Sequence, residues 1–523
     1  MGVFSTGLRY VFKDFSCWTS THGVPHIGMA NAIWLRTFWI LVVLCCVGGF
    51  IWQLQALLHK YFAYLVNTET KLQFSERVFP TVTICHLNPW KLDEARNMDA
   101  MRDLIDKYED KTADADYGFE TGLKGERQRT ATKWTSIFGE RLFELDPSPG
   151  YAYEDLIVSC TYDAKTCNYS TFEPIRDSTY GICHKFNFNG FYVSSRAGPL
   201  YGLRLVLKVD QSQYLPWTEA SGVVINIHAQ DEVPYPDVLG YFAPPGTASS
   251  MGVRFLTTTR CPHPYGTCTT QSHLQSDHFD GNYAVEACFR SCLQAKIVAE
   301  CGCYDPSYPH ADGISSCSVD DTTLMAANMD CIEGVTGTTS SFNVIRDCSC
   351  PQPCEVETYS VTVSTAKWPS NAYTPNECNE KNNTKWLTKK QCVEWYRENT
   401  LLVEIYYERM NYQVLSESPA YSLVNLVSDI GGQVGLFLGM SIISLIEFAF
   451  LIILVCTYCA THKKRRVQME DLDNARQKAK NEADEVANKR EQEQSKREKQ
   501  RDVSSLYDND GFDPAPPKIT NAD

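Results

Sequence analysis

Residues 431–459 read GGQVGLFLGMSIISLIEFAFLIILVCTYC, 29 residues with one formal charge, at Glu447. A helix crosses the ~30 Å hydrocarbon core of a bilayer in about 20 residues, so this stretch exceeds one span. Tilt, a break, or an end outside the lipid must absorb the excess. Lys463-Lys464-Arg465-Arg466 follows at once, and a basic flank of this kind marks the cytoplasmic side. A second apolar stretch, Thr37 to Leu58 (TFWILVVLCCVGGFIWQLQALL), carries no charge over 22 residues. A cleaved signal peptide is the competing reading. Its apolar core would be only about 7–15 residues and would lie nearer the N-terminus. Arg9, Lys13 and Arg36 flank this stretch on its N-terminal side. Two spans then put both termini in the cytoplasm and the long loop between them outside.

Charge and cysteine counts agree with that topology. The chain has 523 residues and a net charge of −15, and residues 60–428 alone hold 31 Lys+Arg against 46 Asp+Glu, which accounts for the whole excess. The same loop holds 17 of the 22 cysteines, as an oxidising compartment would favour. Asn168-Tyr-Ser170 and Asn382-Asn-Thr384 are glycosylation sequons, both in the loop. The acidic balance argues against nucleic acid as a partner. No Walker A, GxGxxG or HExxH string occurs, and no nucleophile–base or metal constellation has a usable spacing. The chain is therefore read as no enzyme, with no cofactor and no metal.

Periodicity places the rest. Residues 71–90 and Leu401 to Val414 alternate as strands, and residues 200–246 read as strands around Pro-Gly turns. KLDEARNMDAMRDLIDKYED, within the helix-prone residues 91–145, is amphipathic, and 384–399 is a further helix. Eleven cysteines in residues 261–354 must staple a segment with few apolar runs. Residues 466–501 favour a solvated helix, and the Ser/Asp/Gly/Pro-rich tail after Asp502 favours disorder.

An ordered set of strings resembles the degenerin/epithelial sodium channel family, including its acid-sensing and FMRFamide-gated members. It runs from His22-Gly23 through Phe79-Pro80-Thr81-Val82-Thr83-Ile84-Cys85, Tyr214-Leu215-Pro216 and Ile227-His228-Ala229-Gln230-Asp231-Glu232. It continues through Pro264-Tyr265-Gly266-Thr267-Cys268 and Cys348-Ser-Cys350-Pro-Gln-Pro-Cys354 to Ser428-Asp429-Ile430-Gly431-Gly432 and Gly435-Leu436-Phe437-Leu438-Gly439-Met440-Ser441. The resemblance implies an α+β membrane protein in which two transmembrane helices flank a large, disulfide-rich, β-containing ectodomain of palm, β-ball, finger, thumb and knuckle. The expected domains are a cytoplasmic arm at 1–36, a first span at 37–58, an ectodomain at 59–428, a second span at 429–460 and a cytoplasmic tail at 461–523. The finger would occupy about 91–155, the thumb about 268–354 and the knuckle about 371–400. Assembly as a homo- or heterotrimer at the plasma membrane, in contact with lipid, comes from the resemblance alone.

It also implies the disulfides Cys85–Cys183, Cys160–Cys167, Cys268–Cys354, Cys288–Cys350, Cys292–Cys348, Cys301–Cys331 and Cys303–Cys317. Cys378–Cys392 reads as an added local pair in the knuckle, which leaves Cys261 over. Gly439-Met440-Ser441 looks like the family's G-x-S selectivity motif. The spacing of Gly431, Gly435 and Gly439 would also serve helix packing alone. Asp429 reads as a carboxylate ring at a cation entrance or as a helix N-cap. Glu447, a carboxylate within an apolar span, is a pore-site candidate. His22 and Gly23 resemble the gating motif, and Ser428 falls where bulky side chains hold such channels open.

The expected function is an amiloride-blocked, sodium-selective cation channel, with Na+ as permeant ion, opened by an extracellular ligand. A neuropeptide is the leading ligand, with the aromatics Phe186, Phe188, Phe191 and Tyr192 as its expected neighbours. Proton gating would use an acidic pocket of Asp231, Glu232, Glu333 and Glu404. Gln213 and Gly337 stand where acid-gated members carry carboxylates, and Tyr265 replaces their tryptophan at the thumb hinge. Constitutive or mechanical opening stays open. A two-span adhesion protein or receptor without a pore is the competing class.

Overall fold

The computed structural model describes residues 2–110, 116–119, 124–270, 282–308, 313–317, 322–337, 340–379 and 388–504. They form two compact units, residues 64–421 and the two chain ends, 1–63 with 422–523.

The larger unit is built on two principal sheets. An eight-stranded sheet runs in the order Val66–Phe74, Asn411–Pro419, Thr247–Thr259, Thr400–Tyr407, Leu203–Lys208, Ile157–Tyr162 and Lys165–Thr166, with Glu355–Lys367 also paired to Thr247–Thr259. A five-stranded sheet runs Tyr241–Ala243, Val223–His228, Thr81–His86, Gly181–Phe186 and Phe172–Asp177. Alternation aims Leu203, Leu205 and Leu207, and Leu401, Val403 and Ile405, into a shared core with Phe79, Ile84, Phe186 and Ile225. The strand Thr81–His86 is buried at every residue.

Leu401 to Val414 is two strands rather than one. Thr400–Tyr407 and Asn411–Pro419 are separate, and both run parallel to Thr247–Thr259. Asn411–Pro419 pairs antiparallel with Val66–Phe74. Residues 71–90 likewise divide into parts of three strands, Val66–Phe74, Arg77–Val78 and Thr81–His86. In each case an apolar or alternating run continues across a short break that periodicity does not register.

Two helical layers complete this unit. Asp99–Glu109 buries Met101, Leu104 and Ile105, one face at i, i+3 and i+4. They pack with Trp90, Trp134, Phe138 and Leu142 in a second core. In the cysteine-rich part, Val285–Cys301 and Thr322–Thr336 share a small core of Ile297, Ile332 and Val335 with Cys303 and Cys317. So small a core leaves much of that segment's order to its disulfides. Eight bonds are present: 85–183, 160–167, 268–354, 288–350, 292–348, 301–331, 303–317 and 378–392, the pairs named above. Cys261 is a free, buried thiol.

The smaller unit is helical. Gly2–Trp18 and Val24–Met29 form the N-terminal arm, and Ile33–Phe62 is the first long apolar helix. The second span is broken. Leu423–Leu438 ends at Gly439, and Ile442–Ser504 begins three residues later, with residues 442–461 apolar enough to cross a bilayer. Both spans are longer than hydropathy alone outlined. The lower helix runs on through the predicted solvated segment to Ser504; residues 505–523 lie outside the described residues.

Candidate ion pathway and extracellular cavity

The break in the second span has a local cause. Gly439 adopts φ 61° and ψ 21°, a left-handed turn that closes the upper helix, and its N–H donates to the Gly435 carbonyl at 3.0 Å. Glycine takes that conformation freely. The lower helix restarts behind Ser441: Leu445 N–H donates to the Ser441 carbonyl at 3.2 Å, and Ser441 N–H donates to Ser444 Oγ at 3.1 Å. Gly439, Met440 and Ser441 are therefore irregular backbone within an apolar span. Such backbone is tolerated where it lines water or is covered by protein.

The N-terminal arm docks on this break. His22 N–H donates to the Leu438 carbonyl at 3.0 Å. A Cβ on Gly439 would lie 2.0 Å from His22 Nδ1. Gly23 has φ 81°, and a Cβ there would lie 2.6 Å from Val43. Lower down, Phe15 is buried against Phe448 with ring centroids 5.3 Å apart. Glu447 Oε2 accepts from Ser20 N–H at 2.8 Å, Thr19 Oγ1 at 3.0 Å and Ser20 Oγ at 3.2 Å. His26 stacks on Trp39 at 4.4 Å, and Arg36 donates to the Ala30 carbonyl at 2.8 Å. These contacts tie the arm to the first span as well.

Gly431 and Gly435 do not pack closely within one chain. Gly431 has open space where a Cβ would be, and Gly435 would meet only the Met440 carbonyl at 3.9 Å. The close approach between spans uses Gly49, where a Cβ would lie 2.8 Å from Phe437. Asp429 is not an N-cap. The upper helix starts at Leu423, and Ser422 caps it by accepting from Asn425 N–H at 3.3 Å. Asp429 and Ser428 sit further along that helix, both exposed.

The larger unit holds a cavity of 790 Å³. It is lined by Glu140 and Phe143 from the helix Lys124–Phe143, Arg176 to Ser178 at the end of the strand Phe172–Asp177, Lys185 and Phe188, Asp231 to Tyr235, and Arg290, Tyr304 and Tyr308. Of the four carboxylates expected to form an acidic pocket, Asp231 and Glu232 line it. Glu404 instead pairs with Arg204 at 3.3 Å, and Glu333 pairs with Lys133 at 2.5 Å beside a separate, smaller cavity. Asp177 and Glu140 take their places, and three cations, Arg176, Lys185 and Arg290, share the walls. Arg290 is held by Asp237 at 2.6 Å and Glu286 at 2.8 Å. Of the expected aromatics, Phe188 reaches the cavity. Phe186 and Tyr192 are packed into the sheet core, and Phe191 is exposed.

Burial raises the Glu232 carboxyl above the ordinary carboxylate range, against the Ala229 N–H that it accepts at 3.1 Å. Burial also raises Asp177, against N–H bonds from Tyr180 and Thr179. Burial lowers His228 to about 4. For Glu232 the native state binds a proton more readily than the unfolded chain. Its ionised form therefore lowers stability above the raised value, and that loss is relieved as pH falls through it. Replacing Glu232 by Gln is expected to flatten this part of the stability–pH curve of the ectodomain, measured by thermal unfolding from pH 7 to pH 4.

The amiloride-sensitive sodium channel family profile matches residues 15–451, from the arm through the lower helix. The chain belongs to that family. It is 30% identical over 486 residues to the degenerin-like protein asic-2 of Caenorhabditis elegans, covering 87% of this chain and 88% of that one. It is 43% identical to degenerin del-1 of the same nematode and 38% identical to degenerin mec-4 of Caenorhabditis briggsae. Those two matches cover 58% and 62% of this chain but only 44% and 42% of the relatives. A sodium channel of the degenerin type, spanning the plasma membrane twice and not an enzyme, is the coarse identity this supports.

Tyr265 sits edge-on to Tyr64, ring centroids 5.3 Å apart. Asn168 is exposed, and Ser170 Oγ donates to its Oδ1 at 2.7 Å; Asn382 lies outside the described residues. Sequence reasoning missed Thr19 and Ser20 as partners of Glu447, and Ser444 as the partner of Ser20. The available signal was the hydroxyl run Thr19-Ser20-Thr21 before His22, together with Ser441, Ser444 and Glu447 at steps of three along an apolar helix.

Proposed function

We propose that the chain forms a trimeric, amiloride-blocked sodium channel whose ion path passes Asp429 and narrows at Gly439, Met440 and Ser441. The observation that carries this is the break at Gly439, closed from below by the His22-Gly23 arm. Three copies would surround the axis with backbone carbonyls and the Ser441 hydroxyl, ligands suited to a partly dehydrated Na+. The open faces of Gly431 and Gly435 leave room for neighbouring chains or for the ion path. Both termini lie in the cytoplasm, with Lys463 to Arg466 as the flank that retains them.

The ligand is a short extracellular peptide with basic and aromatic side chains, received in the 790 Å³ cavity. Asp177, Asp231 and Glu232 suit its cation, and Phe143, Phe188, Tyr235 and Tyr304 suit its rings. Binding favours the conducting member of a two-state equilibrium. A proton-driven reading draws on the same cavity, because burial has already raised Asp177 and Glu232.

Voltage clamp of cells expressing this chain tests the reading. Amidated peptides and acid are applied in turn, with amiloride. Ser428→Cys is expected to give a standing, amiloride-blocked sodium current after a bulky thiol reagent. Silence of both wild type and modified Ser428→Cys, with the protein at the surface, would reject a homomeric pore.

A further inference from the structure

Glu447 is the only acidic residue between Ile430 and Thr461, and a carboxylate there invites a pore-charge role. Its hydrogen bonds point elsewhere. One oxygen, Oε2, takes three donors from two consecutive arm residues, including the backbone N–H of Ser20. Thr19 is buried, and so is Ser444.

Proton accounting orders the rest. Ser444 Oγ accepts from Ser441 N–H at 3.1 Å and faces Ser20 Oγ at 2.5 Å. Ser20 Oγ also faces Glu447 Oε2, which has no proton to give when ionised. The arrangement that uses every hydroxyl proton runs one way: Ser441 N–H to Ser444, Ser444 to Ser20, Ser20 to Glu447. The chain of donors starts at the break in the span and ends on this carboxylate.

We propose that Glu447 is a positioning residue that acts as a hydrogen-bond acceptor, fastening the Thr19–Ser20 turn of the arm to the lower helix so that the arm holds the Gly439–Ser441 backbone in its ion-selecting shape. It fixes filter geometry through the arm and does not act as a charge facing the ion. This rests on the channel reading above. Glutamine keeps an acceptor oxygen at the same place and loses the charge, so Glu447→Gln separates the two roles; Glu447→Ala removes both.

Two measurements test it. In channels opened through modified Ser428→Cys, the Na+/K+ permeability ratio is compared at equal surface level. Glu447→Gln is expected to stay within twofold of the parent, while Glu447→Ala and Ser20→Ala fall at least fivefold. The Ser20→Ala/Glu447→Ala pair should be no worse than Glu447→Ala alone, because both act through one contact. Equal loss in Glu447→Gln and Glu447→Ala would overturn the proposal, as would additive losses in the pair.

The second measurement needs no current. Ser20→Cys and Ser444→Cys are introduced with Cys17, Cys456 and Cys459 replaced by serine, and oxidant-driven cross-linking is read on membranes. The yield should match with Glu or Gln at 447 and drop at least fivefold with Ala. An unchanged yield with Ala overturns the proposal. Silence of every variant beside a Glu447-dependent cross-link would reject the homomeric pore and leave the fastening role standing.

Discussion

Replacing Gly439 by alanine is expected to abolish sodium current, whereas the same change at Gly435 leaves it. All three glycines of the run share one spacing and one residue type, yet their surroundings differ. At Gly439 the backbone is left-handed, φ 61°, and a Cβ would sit 2.0 Å from the His22 ring. An L-residue in that conformation costs about 1–2 kcal/mol before any clash is counted. The clash cannot be relieved locally, because His22 N–H is itself bonded to Leu438. Either the arm leaves or the turn reverts to helix, and both remove the irregular backbone. At Gly435 the backbone is helical and the added methyl would meet only the Met440 carbonyl at 3.9 Å. Alanine there also gains about 0.5–1 kcal/mol of helix propensity. Whole-cell current normalised to surface-biotinylated protein checks both. A working Gly439→Ala channel, or a silent Gly435→Ala channel at normal surface level, would return the run to simple packing between helices.

Removing the Cys85–Cys183 bond by a double alanine substitution should destabilise the ectodomain more than removing any rung of the thumb ladder. The two cysteines face each other across the paired strands Thr81–His86 and Gly181–Phe186, both fully buried, and their bond closes a separation of 98 residues. Within that loop the described structure has one further bond, Cys160–Cys167, which shortens it little. The chain-entropy contribution is then about 4–5 kcal/mol. The thumb bonds are nested. With Cys288–Cys350 intact, loss of Cys268–Cys354 reopens only about two dozen residues, worth about 3–3.5 kcal/mol. Against a domain stability of about 5–15 kcal/mol, the first loss is the more serious. It is expected to prevent surface delivery at 37 °C with partial recovery at lower temperature, while the thumb variant still reaches the surface. Surface biotinylation at both temperatures, with limited proteolysis of the delivered fraction, checks the order. Equal delivery of both variants would contradict it.

Pattern and spacing carried some of this protein's features in the sequence itself. Twenty or so apolar residues are a local fact, so Thr37 to Leu58 and Gly431 to Cys459 declared the spans without any tertiary information. The excess length of the second stretch was legible as a tilt, a break or an end outside the lipid. Eleven cysteines among few apolar residues declared a stapled segment. Their pairing followed from family resemblance, since eleven cysteines by themselves permit many connectivities.

Contacts between distant residues had to wait for the fold. Glu447 finds its partners 427 and 428 positions away, in an arm whose role periodicity could not assign. Asp231 and Glu232 meet Asp177 and Glu140 in one cavity while Glu404 is drawn to Arg204 and Glu333 to Lys133; acidity is a property of each residue, but neighbourhood is a property of the packing. Phe186 and Phe188 are two residues apart, but the strand Gly181–Phe186 ends between them and Asn187 turns at φ 58°, so one fills the core while the other lines the cavity. The sequence by itself outlined the two apolar segments and the cysteine-rich loop between them, because an apolar span is legible residue by residue over a local window. Only the tertiary structure decided which of three equally spaced glycines meets the arm and what Glu447 holds, because both depend on an arm brought back from the far end of the chain.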